Sequence, residues 1–408
     1  MDQRVVRYIR LAPVAALALA ISLPIALISI AKLLVLLVGG VVAYLYLADA
    51  ATSNKLKKVF SNTTITNKLI ILSVLLFITS SLWSSAPTED VLKSINLHGN
   101  LLIIPLLAIL IKSKAEAIFT LKIYLCGQLF LLISSWLIFL GVQLPWAIAT
   151  VQKYAVFSSE LDQSIMTGIF AALVWNFRSE LPEKISKYTW IPALLALACV
   201  FYIFEGRTGH VVALALLTLA IFWELPKKLK FAALIAPIFI ILIIGSTSSI
   251  LHDRFSKVKT EIQAYSQTRD ASTSTGTRLD FWTSAIQIIE KHPAMGAGVG
   301  SWPQAYRELP QNSKVPAFSG NPHQEYLLWG VEIGVGGIVL LCAIFLSILF
   351  ASFKMDEVAM RGTQSVLAAS AIACLFNCAL LDALIGDHLC FLMGLMLIFN
   401  HKNKKTNI

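Results

Sequence analysis

The chain repeatedly runs apolar over stretches long enough to cross a lipid bilayer, and no other feature constrains its fold as strongly. A hydrocarbon core takes about 20 apolar residues as an α-helix. Lipid offers the backbone no hydrogen bonds, so only helices or a closed barrel can span it. The runs do not alternate with period two, which selects helices. They lie near 11–29, 32–51, 69–84, 99–111, 118–140, 164–177, 189–204, 209–223, 231–246, 325–351, 364–381 and 389–400. The fourth and twelfth are short and fit tilted or half-inserted elements. Composition agrees: 14% of the 408 residues are charged, against about 25% in a soluble domain. The expected fold class is an all-α polytopic membrane protein of about twelve transmembrane helices. Arg4, Arg7 and Arg10 precede the first run, and no small-residue cleavage site ends it, so it reads as a retained span and not a signal peptide.

Orientation follows from lysine and arginine, which concentrate in cytoplasmic loops. With the N-terminus inside, some twenty of them fall in cytoplasmic segments, from Arg4, Arg7 and Arg10 to Lys402, Lys404 and Lys405. The short outer loops hold Lys32, Lys93, Lys153 and Arg207. Both termini are therefore expected in the cytoplasm. This distribution also accounts for the net charge of +10 without nucleic acid, since no basic stripe with interleaved aromatics is present. Cys126, Cys199, Cys342, Cys374, Cys378 and Cys390 all fall in apolar runs without metal-ligand spacing, and no disulfide framework is implied.

One connection breaks the pattern. Residues 247–324 form a long polar loop rich in Ser and Thr, on the non-cytoplasmic side. Long loops translocate regardless of their charge, and loops of this length are usually functional. The chain thus divides into helices 1–9 (1–246), the large loop (247–324), and helices 10–12 with a basic tail (325–408). Two helices are expected in the loop. One lies near 253–268. The other, Arg278 to Glu290, sets Phe281, Trp282, Ala285, Ile286 and Ile289 on one face, for the membrane surface or the bundle.

Four separated segments deliver polar groups to that same side. In Gly206-Arg207-Thr208-Gly209, Thr208 suits a helix N-cap, and an arginine beside free helix N–H groups makes an anion site. Its position also fits an arginine snorkelling to lipid headgroups. Arg278 stands at an expected helix start, where a solvated arginine is the ordinary reading. Pro322 suits the first helical position, which puts His323 in the first turn of span ten. There the helix dipole and two arginines would keep its ring neutral near pH 7, although a structural histidine fits too. Asp382, Asp387 and His388 form the last outer turn, with Asp382 and His388 as either a proton-handling pair or simply a polar turn. Gly296-x-Gly298-x-Gly300 lacks the preceding strand of a phosphate loop and reads as a flexible loop.

Together these features resemble the O-antigen ligase and polymerase superfamily. The resemblance rests on Arg207-Thr208-Gly209, and on Arg278 followed by Trp282 and then His292-Pro293-x-x-Gly296-x-Gly298. It rests also on His323-Gln324 with Gly334 and Gly337 at the spacing of the ligase histidine motif, and on the twelve-span layout with one late loop. Val211 stands where the ligase arginine motif usually has leucine. The resemblance implies a C-type glycosyltransferase of the bacterial inner membrane with a periplasmic site. The implied reaction transfers a polysaccharide from undecaprenyl pyrophosphate to a sugar hydroxyl of lipid A–core, with no cofactor and no metal. It implies His323 as catalytic base, Arg207 and Arg278 as pyrophosphate ligands, and Thr208, Gln324, Asp382 and His388 as supporting candidates. Partners beyond the donor, the acceptor and membrane lipid are not implied. An O-antigen polymerase or protein O-oligosaccharyltransferase would use the same chemistry with another acceptor. A lipid or ion transporter is disfavoured, because coupled transporters often hold a mid-span carboxylate and Glu332 is the nearest here.

Overall fold

Every regular element among the described residues is helical. The structure, a computed structural model, describes residues 2–53, 61, 63–147, 153–230, 249–310 and 319–399, with 235, 237, 239 and 242 between them. Apart from single turns, the elements are α1 (Gln3–Ala20), α2 (Ile25–Thr52), α3 (Ile65–Ser80), α4 (Thr88–His98), α5 (Ile103–Leu110), α6 (Lys114–Phe139), α7 (Glu160–Asn176) and α8 (Trp190–Tyr202). They continue with α9 (Arg207–Glu224), α10 (Ser249–Thr268), α11 (Ser274–Lys291), α12 (Trp302–Glu308), α13 (Glu325–Ile333), α14 (Val335–Ser352), α15 (Glu357–Phe376) and α16 (Ile385–Ile398). Among the described residues, six segments are long and apolar enough to cross a membrane: Ile25–Thr52, Thr88–Leu110, Lys114–Phe139, Arg207–Glu224, Val335–Ser352 and Glu357–Phe376. α3, α8 and α16 are shorter apolar helices. The span expected near 231–246 lies outside the described residues except at isolated positions.

α16 is the axis of the bundle. From Ile385 to Met396 all its residues are buried, as expected for a helix that is apolar all round. It packs on α5, α6 and α15, while α7 packs on α8, α9 and α15. Two polar residues sit inside α16 with partners supplied by other helices. Asp387 pairs with Lys32 of α2 at 2.9 Å, and His388 Nε2 meets the Tyr124 hydroxyl of α6 at 2.9 Å.

Several boundaries differ from expectation. Pro24 stops the first crossing early, because a proline disfavours helix in the residue before it; α1 ends at Ala20 and α2 starts at Ile25. Lys32 is consequently a helix residue facing Asp387 and Asn100, not a loop residue. α4 and the 3-10 turn Gly99–Leu102 lengthen the fourth span to Thr88–Leu110. Asp387 and His388 belong to α16 and not to a turn.

The tenth span is broken. α13 ends at Ile333, and Gly334 takes φ +74°, a conformation that favours glycine. The peptide units freed by the break bond to the segment from Pro293 to Gly300. Ala297 N donates to Val331 O (2.7 Å), Gly298 N to Glu332 O (3.1 Å), and Val335 N to Pro293 O (2.9 Å). Gly296, Gly298 and Gly300 all have positive φ, and a Cβ at Gly298 would strike the Ser84 backbone. The segment is thus a wedge locked between α13 and the turn after α3, which corrects its reading as a flexible loop.

α10, α11 and α12 cover one end of the bundle. α11 buries Phe281, Ala285, Ile288 and Ile289 against Leu328 and Val331 of α13. The buried stripe carries Ile288 where Ile286 was expected; Ile286 is exposed. The opposite end carries open ion pairs. Glu224 bonds Arg178 (3.1 Å) and Arg361 (3.0 Å), and Lys114 bonds Glu180 (3.1 Å) and Asp356 (3.0 Å).

Candidate functional site

Gly206 is the N-cap of α9, so Arg207 is its first helical residue, beside main-chain N–H groups that the helix leaves unbonded. Its guanidinium reaches across to the loop helices. Nη1 donates to Thr275 Oγ1 at 2.9 Å and lies 3.6 Å from Glu261 Oε2. Burial works against the Glu261 charge, but the Thr275 bonds and Arg207 outweigh it and hold its carboxyl below the ordinary value. Thr208 does not cap the helix. Its hydroxyl accepts from Asn377 Nδ2 at 2.9 Å, tying the start of α9 to the end of α15.

Arg278 lies three residues after Thr275 on α11, about one helical turn. It shares with Arg207 a cavity of about 510 Å³, along with Lys153, Ser274, Glu160 and Glu205. Glu160 spends both oxygens on main-chain donors, Tyr154 N and Glu205 N, each at 3.2 Å. Among the described residues Arg278 makes no ion pair. Burial first, and then the like charge of Arg207, press on its protonated form. A bound anion would relieve both stresses, which is the physical case for a phosphate group here.

His323 adjoins this arrangement from the other side of Arg278. Its ring stacks on Phe281, one turn further along α11, with centroids 6.0 Å apart and planes at 22°. Nε2 is 3.3 Å from Ser319 Oγ, and its main-chain N donates to Asn321 Oδ1 at 3.0 Å. His323 is not in the first helical turn as expected. It takes φ +52°, and Gln324 caps α13 by accepting from Leu327 N at 2.6 Å. A left-handed residue cannot continue a right-handed helix, so Pro322 and His323 stay outside it. Burial, followed by the Arg278 charge, lowers the His323 pKa below the ordinary histidine value. The neutral ring expected from the helix dipole and two arginines thus rests on burial first and on Arg278, not on a place in the helix.

The remaining expected residues serve the frame. Gln324 is a cap. Asp382 caps its own turn, accepting from Leu384 N (2.9 Å) and Ile385 N (3.2 Å). His388 is buried in the bundle against Tyr124, so Asp382 and His388 do not form a pair. Sequence reasoning missed Glu261, Thr275 and Lys153, none of which carried a motif. It noted Glu332 but not its role. Glu332 Oε1 accepts from Ser94 Oγ (2.9 Å) and Gly300 N (2.8 Å), and Oε2 meets His98 Nε2 at 2.6 Å. Both residues of that pair are almost fully buried. This node joins α13, which follows His323, to the wedge that follows α11, and so fixes His323 relative to Arg278. One residue of α13 ties in the last hairpin as well: Glu325 Oε2 accepts from Leu380 N (2.9 Å) and Leu381 N (3.3 Å).

Residues 192–342 match the family model described as O-antigen ligase. That segment contains Arg207, Arg278, the glycine wedge and His323. A Haemophilus influenzae (strain Rd) protein, named only as uncharacterized, is 29% identical over 131 residues, covering 30% of this chain and 33% of its own length. The chain thus spans about a third of the curated relative it matches.

Proposed function

From the match of residues 192–342 to the family model described as O-antigen ligase, we propose that the protein transfers a polysaccharide from undecaprenyl pyrophosphate to a sugar hydroxyl of lipid A–core. The observation that carries this reading is the row Arg207, Arg278, His323: two arginines on one cavity, and a depressed-pKa histidine stacked one turn beyond the second. The arginines bind the pyrophosphate and take up the charge that develops as it leaves. His323 accepts the proton of the acceptor hydroxyl. The hydroxyl oxygen bonds to the anomeric carbon as the carbon–oxygen bond to the pyrophosphate breaks. Undecaprenyl pyrophosphate departs with the bonding pair, and a direct displacement of this kind inverts the anomeric configuration. The cationic cavity supplies the charge that a metal would otherwise provide, so a chelator should leave the rate unchanged. The site then faces the periplasm, where both lipid-anchored substrates present their sugars.

The test is ligation with purified full-length protein in detergent, lipid-linked glycan and lipid A–core. Polysaccharide joined to lipid A–core is the expected product, with an inverted linkage. Transfer only to a second glycan repeat, or only to a protein, would reassign the acceptor. Strong inhibition by chelator, reversed by one divalent ion, would overturn the metal-free step.

A further inference from the structure

A second polar cavity of about 170 Å³ lies among the loop helices. Asp280 is its centre, on the same helix as Arg278 but two residues on, roughly 200° around the helix axis and so on a different face. Tyr265 of α10 and Tyr306 of α12 flank it, Thr283 and Gln287 continue the α11 wall, and Leu309 forms an apolar patch. Tyr306 donates to Asp280 Oδ2 at 2.6 Å, and Tyr265 to Oδ1 at 3.4 Å. Burial, then the Asp280 contact, raises the Tyr306 phenol well above its ordinary value, so it stays protonated as a donor. Arg269 turns back over the cavity with φ +53°, its guanidinium 5.3 Å from the Tyr265 ring centre and bonded to that hydroxyl at 3.3 Å.

Asp280 is 8% exposed and forms no ion pair among the described residues. A buried carboxylate held by hydroxyls alone is a poor stabilising device, since apolar packing in its place is often neutral or better. Its chemistry therefore points outward to a ligand. A divalent cation would ask for several acidic or carbonyl oxygens, and the described cavity lining offers one carboxylate. An anion is opposed by Asp280. A neutral polyol suits all the walls: each Asp280 oxygen has a second lone pair for a hydroxyl donor, Gln287, Thr283 and Arg269 supply further polar contacts, and tyrosine rings with Leu309 receive the C–H face of a sugar. We propose that this cavity is a carbohydrate subsite that holds one sugar ring of a glycan, away from the arginine cavity. It rests on the transferase reading for its place in a reaction, but the binding itself does not require transfer.

Two glycans are candidates for that ring, the acceptor core and the donor repeat. The probes are the delipidated core oligosaccharide and the delipidated glycan repeat unit, each followed by saturation-transfer NMR on the full-length protein in detergent. One of the two should bind in the millimolar range, and which one binds identifies the source. Gln287→Trp, at an exposed position of the rim, should abolish the signal. Asp280→Asn should weaken it about tenfold or more, the loss of a charged hydrogen-bond acceptor, and thermal unfolding of each variant checks that the helices remain folded. The KM for the same substrate should rise with kcat little changed. Failure of both probes to bind, or wild-type binding by folded Gln287→Trp, overturns the subsite. If a glycan binds here and no transfer from lipid pyrophosphate occurs, the subsite stands and the transferase reading falls.

Discussion

Where α1, α6 and α15 begin, basic side chains pair with carboxylates: Arg7 with the buried Glu116, Lys114 with the half-exposed Glu180 and Asp356, and Arg178 and Arg361 with Glu224. At the other end, Arg207 has Glu261 at 3.6 Å and Arg278 has no ion pair among the described residues, yet both line one cavity. In the first arrangement every base has a carboxylate beside it, so it has little charge left to offer a ligand. The second sets Arg207 and Arg278 on one cavity with Glu160 and Glu205, yet Arg278 is left without an ion pair among the described residues, so a bound anion would find an open partner there. Charge alone does not mark a site; charge that the fold leaves under-compensated does.

The sharpest way to break this contrast is at His323. His323→Ala should lower turnover about 10²–10⁴-fold while donor binding survives on the arginines. His323→Gln should do nearly as badly, since an amide accepts no proton. Because burial and Arg278 depress the pKa, the ring is neutral above it, and the acid limb of the wild-type rate profile should fall below the ordinary histidine value of about 6.5. An active glutamine variant, or an acid limb above that value, would remove His323 as the base. Next come the arginines. Arg278→Ala and Arg207→Lys should each reduce turnover about 10²–10³-fold, the loss typical of one charge-stabilising group. Lysine cannot reproduce the bidentate fork, so near-normal Arg207→Lys would reduce that residue to a headgroup anchor.

The smaller effects concern stability. Glu332→Ala leaves His98 and two donors buried without their acceptor, and should destabilise the protein by about 3–5 kcal/mol, read as an earlier midpoint in denaturing-detergent unfolding. An unchanged midpoint would mean that the wedge holds without the carboxylate. Glu357→Ala at the basic end removes an exposed carboxylate 2.6 Å from Arg361 and should matter least, with a change of at most about 1 kcal/mol and unaltered turnover. A large loss of activity there would erase the distinction between the ends.

The sequence made some of this legible and hid the rest for physical reasons. Apolar length announces the spans, since lipid leaves no other solution, and the polar groups gathered on one side announce Arg207, Arg278 and His323. The break at Gly334 was hidden because a glycine in an apolar run reads as helix until a second segment arrives to bond the freed peptides, and that segment lies some forty residues earlier. The Glu332–His98 pair is 234 residues apart, beyond any local pattern. Thr208 looked like a cap because threonine often is one; Asn377, from another helix, claims its hydroxyl. Lys153 and Glu261 are ordinary charges in sequence, and only proximity gives them a role.

The Glu325 carboxylate has a consequence for how the protein is made. Its Oε1 accepts from Trp329 of the same helix, but its Oε2 is filled by Leu380 and Leu381, which are synthesised more than fifty residues after it. A ribosome can thus deliver the arginine turn, the loop helices and the histidine while this carboxylate still lacks those two partners. Completion waits for the final hairpin, so a chain released early would carry every residue of the candidate centre without its finished geometry. Biogenesis itself would then act as a proofreading step, withholding a reactive site from truncated products.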